Sequence, residues 1–116
     1  MPVAYSHGAM SEPCIVQVSA PTAEEAERLG RLAVERRLAA CAQVAGPVRS
    51  TYRWDGEVTT ASEWICTLKT VRIRVDQIAG LVGEVHSYQV PEVVAVPIVG
   101  GGRDYLAWVE AESTAP

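Results

Sequence analysis

The sequence predicts one α+β domain of element order β-α-β-β-α-β, and three observations carry that reading. Runs rich in Val, Ile and Thr alternate with two segments whose apolar residues recur at helical spacing. The pair Asp55-Gly56 divides residues 42–70 into the two arms of one hairpin, because both residues tolerate the positive φ of a type I′ turn. The chain has 116 residues, 48 % of them hydrophobic. Such a chain builds one core that buries roughly two thirds of its extended surface, without disulfide or structural metal.

Taken in order, residues 1–12, with Pro2, Gly8, Ser11 and Glu12, lack any apolar period and read as a tail. The folded domain is expected over 13–112, with 113–116 a second short tail. Ile15, Val16 and Val18 make a strand at 14–20 that Pro21 stops. Thr22 and Glu25 form a capping box, and Glu24, Glu25 and Glu27 suit the positive end of a helix dipole. Ala26, Leu29, Leu32 and Ala33 continue that helix, which is expected over 22–38. The hairpin arms follow at 42–54 and 57–70. Thr70 is placed as the cap of a second helix whose apolar face is Val71, Val75, Ile78, Val82 and Val85. Gly80 and Gly83 weaken its last turns by about 1 kcal/mol each.

Residues 87–91 read as a loop, 93–99 as a Val-rich strand buried on both faces, and Gly100-Gly101-Gly102 as a turn. Asp104 is expected to cap a last helix at 105–112. Crossover rules place both long helices on one face of an antiparallel sheet. The result is a ferredoxin-like βαββαβ antiparallel sandwich with a long hairpin and a short C-terminal helix. A hairpin arm of about 12 residues reaches roughly 40 Å, whereas a helix of about 16 residues covers only about 24 Å. The arm therefore overhangs its core. Its far end carries Val48, Tyr52, Trp54 and Val58, apolar surface that a homo-oligomer would cover.

Charge and cysteine content narrow the function classes. Asp and Glu number 14 against 10 Lys and Arg, a net charge of -4 with no basic run. That leaves no cationic footprint for nucleic acid or an anionic membrane, so neither is an expected partner. Cys14, Cys41 and Cys66 are odd in number and contain no C-x-x-C, which reads as reduced, mostly buried thiols of an intracellular protein. No secretory leader and no long apolar run stand in the sequence, and a soluble, cytoplasmic protein is expected.

Over about residues 14–110 the chain resembles the CutA divalent-cation-tolerance family. The segments that carry the likeness are Ser19-Ala20-Pro21, Arg37-Leu38-Ala39-Ala40-Cys41-Ala42, Tyr52-Arg53-Trp54-Asp55-Gly56, Leu68-Lys69-Thr70, His86-Ser87-Tyr88-Gln89-Val90-Pro91-Glu92 and Asp104-Tyr105-Leu106-Ala107-Trp108. The resemblance implies a ferredoxin-like homotrimer, similar in architecture to PII signal-transduction trimers and associated with tolerance of copper and other divalent cations. It also implies a copper site made by a Cys at the end of the first strand and two consecutive His. The matching positions here are Val18, Val85 and His86. Only His86 offers a lone pair, and a Cu(II) or Zn(II) site wants three or four donors. No cofactor is therefore required, with Cu(II) or another divalent cation at most weakly held.

Lys69, the single lysine, stands beside the expected helix start at Thr70. A cation there calls for a carboxylate such as Glu63 or Glu92, or for a ligand anion. A ligand cleft is accordingly expected from Lys69, Tyr88 and Glu92, with Trp54 reaching in from a neighbouring subunit's hairpin. Three functions follow: a non-enzymatic trimer in metal tolerance, a PII-like sensor of a small anion or nucleotide in inter-subunit clefts, and an enzyme on the same fold. The enzyme is the weakest, because an acylphosphatase-like reaction wants an Asn and the sequence has none. No Ser-His-Asp or Cys-His order stands out either.

Overall fold

Turn chemistry and side-chain alternation build the sheet. In the computed structural model, which describes residues 11–114, Asp55 and Gly56 take φ values of 56° and 81°, so the tight turn forms where the sequence places it. It joins β2 (Cys41–Trp54) to β3 (Glu57–Val71), paired from Trp54 with Glu57 through to Cys41 with Lys69, with one irregularity between Ala45 and Val48. β1 (Pro13–Ala20) lies antiparallel between β3 and β4 (Val93–Pro97). The strand order β2-β3-β1-β4 is that of the expected ferredoxin-like sandwich. Most of the tail expected at 1–12, with His7, lies outside the described residues. The carbonyl of Glu12 accepts from the Arg72 N–H at 2.9 Å.

Alternation sends Val16 and Val18 of β1 and Cys66 and Leu68 of β3 to one face. There they meet Ala26, Leu29 and Ala33 of α1 (Ala23–Glu35) and Ile78, Leu81 and Val82 of α2 (Val75–Val85). Each buried Leu, Ile or Val contributes roughly 1.5–3 kcal/mol. The opposite face of the sheet carries Ile15, Gln17, Ile65, Thr67, Val94 and Val96. Val94 and Val96 there are 48 % and 52 % exposed. The strand expected to be buried on both faces is thus a largely exposed edge strand of which only Val93 packs against the core, and it ends at Pro97 rather than residue 99.

Three further boundaries differ from expectation, each for a local reason. The first helix stops at Glu35 rather than 38, because Arg37 adopts φ 58° and closes a Schellman-type end. The Leu38 N–H donates to the Ala33 carbonyl at 2.9 Å and the Arg37 N–H to the Val34 carbonyl at 3.0 Å. Thr70 does not cap the second helix. It remains in β3 opposite Cys14, fully buried, and its hydroxyl donates to the Leu38 carbonyl at 2.6 Å. A 3-10 turn at Arg72–Arg74 intervenes before α2 begins. Finally, α3 (Arg103–Thr114) takes Asp104 into its first turn and runs past residue 112. Arg74 holds that end through Nε to the Ser113 carbonyl at 2.6 Å and Nη2 to the Thr114 carbonyl at 3.1 Å, satisfying carbonyls a helix end leaves unpaired.

The molecule measures 51 × 27 × 21 Å with a radius of gyration of 15.1 Å, against roughly 13 Å for a compact chain of about this length. The hairpin accounts for the long axis. α1 approaches β2 closely at Gly30, where an added Cβ would lie 2.8 Å from the Ala42 Cβ and 3.3 Å from the Cys66 Sγ. In Gly30→Ala, overpacking costing about 1–3 kcal/mol outweighs the helix-propensity gain of up to about 1 kcal/mol. The expected outcome is a lower urea midpoint, the reverse of what Gly→Ala does on an open helix face.

Candidate functional site

α2 ends where His86 turns to an extended backbone, φ −80° and ψ 141°, and drives its ring into the protein, where the side chain is fully buried. The His86 Nε2–H donates to the Ser19 carbonyl at 2.6 Å, and Nδ1 accepts from the Tyr88 N–H at 3.0 Å. Nδ1 also lies 3.4 Å from Glu25 Oε2, so both ring nitrogens have partners within the protein. Glu25, whose N–H donates to the Thr22 hydroxyl at 3.1 Å, turns its carboxylate away from the helix start. It accepts from the Ser87 N–H at 3.0 Å and the Ser87 hydroxyl at 2.9 Å. The Ser87 hydroxyl is thus bonded to Glu25 rather than to the imidazole.

These bonds fix the loop after α2 so that Tyr88 packs on His86, ring centroids 4.8 Å apart, and its hydroxyl donates to Glu63 Oε2 at 2.9 Å. Tyr88 and Glu63 sit on the wall of a cavity of about 570 Å³ that Tyr52, Trp54, Val90 and Glu92 also line, within the usual size range of ligand pockets. Glu92 Oε2 accepts from Gln17 Nε2 at 3.0 Å. Desolvation, followed by the hydrogen bond to Glu63 and the nearby carboxylate charges, pushes the Tyr88 phenol up to about 12. Burial raises the Cys14 thiol and pushes that of Cys66 up to about 11. Neither is an activated nucleophile.

Of the residues expected to form a ligand cleft, Tyr88, Glu92 and Trp54 come together and Lys69 does not. Trp54 of the same chain, along the overhanging β2, lines this cavity. Lys69 stands six residues along β3 from Glu63, about 20 Å of strand. Its ammonium donates to Gln43 Oε1 at 2.8 Å and lies 5.8 Å over the Tyr105 ring, so it pairs with neither Glu63 nor Glu92. The expected anionic ligand loses the cation on which it rested. Glu63, weighed in the sequence only as a partner for Lys69, is the central acidic residue of the cleft. The signal was a carboxylate amid the strand-forming run of 57–70, but only the bulged pairing with β2 shows which end of the sheet it occupies.

The positions that the resemblance assigns to copper donors do not fit the metal. Val18 is wholly buried in the core, Val85 packs against that core, and both nitrogens of His86 are engaged. Among the described residues no group of three His, Cys, Asp or Glu side chains is placed to hold a metal ion. Nor is any helix there long and apolar enough to cross a membrane.

A ferredoxin-like sandwich with an overlong hairpin and a cleft at its base is the class that fold and site define. The family model described as CutA1 divalent ion tolerance protein matches residues 14–112, and the chain belongs to that family. It is 38 % identical over 95 residues to the divalent-cation tolerance protein CutA of Thermus thermophilus, a stretch covering 82 % of this chain and 92 % of that protein. The chloroplastic CutA protein of Arabidopsis thaliana is 35 % identical over 83 % of this chain, which spans 53 % of that longer relative. Among solved structures, CutA1 of Oryza sativa superposes with a TM-score of 0.87 at 32 % identity, covering 94 % of this chain and all of that one. The Thermus thermophilus protein gives 0.85 at 36 %, covering 87 % and 98 %.

Because the folded Tyr88 pKa is raised from 10.0 to about 12, the folded protein holds that proton where the unfolded chain releases it. The stabilisation is complete below pH 10 and is lost as pH rises toward 12. Glu63→Gln removes the charge and weakens the hydrogen bond while burial persists. An ultraviolet titration of phenolate absorbance should show one tyrosine ionising last in the parent protein and moving toward 10 in Glu63→Gln; an unmoved titration would break the Tyr88–Glu63 link.

Proposed function

We propose that this chain works in divalent-cation tolerance as a homotrimer that catalyses no reaction. The observation that carries the oligomer is the sheet face opposite α1 and α2, where Val94 and Val96 stand about half exposed, together with a hairpin whose end bears exposed Tyr52, Trp54 and Val58. A monomer would leave this apolar area and the β2 and β4 edges in water. The number three comes from the resemblance to the family. Copper at His86 is not part of the proposal, since two of the three donor positions are valines. The cleft beside Tyr88 and Glu63 favours a second reading, a small-ligand sensor with the PII-like trimer plan, whose ligand occupies clefts that the assembled hairpins border. A cytoplasmic location fits the three free cysteines.

Two carboxylates introduced together, Val94→Glu and Val96→Glu, place like charges against each other in any assembly through this face. Sedimentation should then give a monomer with the far-ultraviolet dichroism of the parent protein; an intact trimer would move the interface elsewhere. Native mass spectra of the parent protein titrated with Cu(II) should show three chains and no stoichiometric copper. One copper per chain would restore a metal site that includes His86.

A further inference from the structure

The cleft's charge is at odds with an anionic ligand. Glu63 is only 7 % exposed. Its Oε2 accepts from Tyr88, no hydrogen bond to its Oε1 is found among the described residues, and the side chain lines the cavity. A carboxylate this deeply placed carries a large desolvation cost unless a cation answers it. Among the described residues no lysine or arginine lines the cavity, although Arg49 and Arg53 stand on β2 beside its lining residues Ser50, Thr51, Tyr52 and Trp54. Lys69 is committed to Gln43, Arg74 to the end of α3 and to Gln77, Arg36 to Glu84 and Arg31 to Glu35. A second carboxylate, Glu92, stands on the same wall with its Oε2 held by the neutral amide of Gln17, which leaves its charge uncompensated.

The rest of the wall is aromatic and apolar: Tyr52, Trp54, Tyr88 and Val90. Aromatic faces attract a cation and accept the hydrocarbon attached to it. A bare divalent ion gains little from such rings, and the described residues place no three metal donors together. A primary ammonium answers each feature at once, with three N–H donors for Glu63 Oε1 and its neighbours and a carbon body among the rings. We propose that the cleft lined by Glu63, Glu92, Tyr88, Trp54 and Tyr52 binds an organic primary amine as its ammonium ion, with Glu63 Oε1 as the principal acceptor. This rests on the reading of the cleft as a ligand site. It replaces the anion expected from Lys69 by a ligand of opposite charge.

The test is a calorimetric titration of the whole tag-free protein near neutral pH with three probes of one shape and different charge: benzylammonium, benzyl alcohol and benzoate. Benzylammonium should saturate at one per chain and bind at least tenfold tighter than the other two. Glu63→Gln, which keeps shape and an acceptor for Tyr88, should weaken it at least tenfold and leave binding of benzyl alcohol unchanged. Should Glu63→Gln fail to fold, Trp54→Ala, at a half-exposed position, should weaken benzylammonium at least threefold. Preference for benzoate, equal binding of all three probes, or indifference to Glu63→Gln would overturn the proposal. So would failure of the parent protein to bind any probe, including the case in which Glu63→Gln falls apart into monomers because a second copy's basic side chain fills the cleft. Subunit number, read by sedimentation in the same samples, reports separately on the trimer. A monomer that binds benzylammonium would sink the assembly and keep the amine site, and a trimer that binds none would do the reverse.

Discussion

The sheet of this protein is longer than the helices that cover it, and most of the remaining architecture is a response to that mismatch. α1, with 13 residues, spans about 20 Å, whereas β3, with 15 residues, runs for about 50 Å, close to the 51 Å long axis of the molecule. The core therefore occupies only the half of the hairpin nearest Cys41 and Val71. Beyond it, β2 and β3 are held by their own ladder and by a tight turn alone. An isolated two-stranded ribbon is marginal in water, so the overhang needs another surface to lean on. A single Cβ at Gly30 matters for the same reason: with so little helix available, α1 must lie close to the sheet to exclude water from what it does cover.

The cleft forms where the covered and uncovered halves meet. At that boundary β1 ends, the chain leaves α2, and the bulge near Gly46 reshapes the β2 ladder. A loop crossing such a junction needs anchors of its own. His86 supplies one by spending both ring nitrogens on backbone groups, and Glu25 supplies the other through Ser87. Together they hold Tyr88 at Glu63. An imidazole used in this way acts as a fixed strut, and recruiting it to a metal would release the loop that builds the cavity wall.

What the sequence revealed and what it concealed divide along the range of the forces involved. The Asp55-Gly56 turn, the Thr22 start of α1 and the periodicity of Val75, Ile78, Val82 and Val85 are written in nearby residues and formed as read, whereas Val71, expected on the same helix face, ends β3. Arg37 hid the end of α1, because the left-handed residue at a helix end is usually glycine and here a guanidinium side chain occupies it, tied to Glu112 at 3.4 Å. Thr70 had the chemistry of a cap, yet register opposite Cys14 held it in the sheet and gave its hydroxyl a different carbonyl. Lys69 was misplaced for the same reason. Its neighbours in sequence pointed to a carboxylate, while the pairing of β2 with β3 delivered Gln43. Register is set by strand partners dozens of residues away, and local chemistry does not report it.

The family fold persists here while two of the three positions implied for copper donors are valines, which separates two properties that a shared name joins. Val18 is fully buried among apolar residues and Val85 packs against the same core. A thiolate or imidazole at either place would have to be desolvated, so valine is the residue that the sandwich itself favours there. The fold's other distinctive features place no such demand on those two positions. The overhanging hairpin, the sheet face opposite α1 and α2 and the acidic, aromatic cleft are made by residues from β2, β3, β4 and the loop after α2, and they form with Val18 and Val85 in place. The acidic wall gives that cleft a sign as well as a shape, and the sign is one that favours cations whether or not a metal is among them.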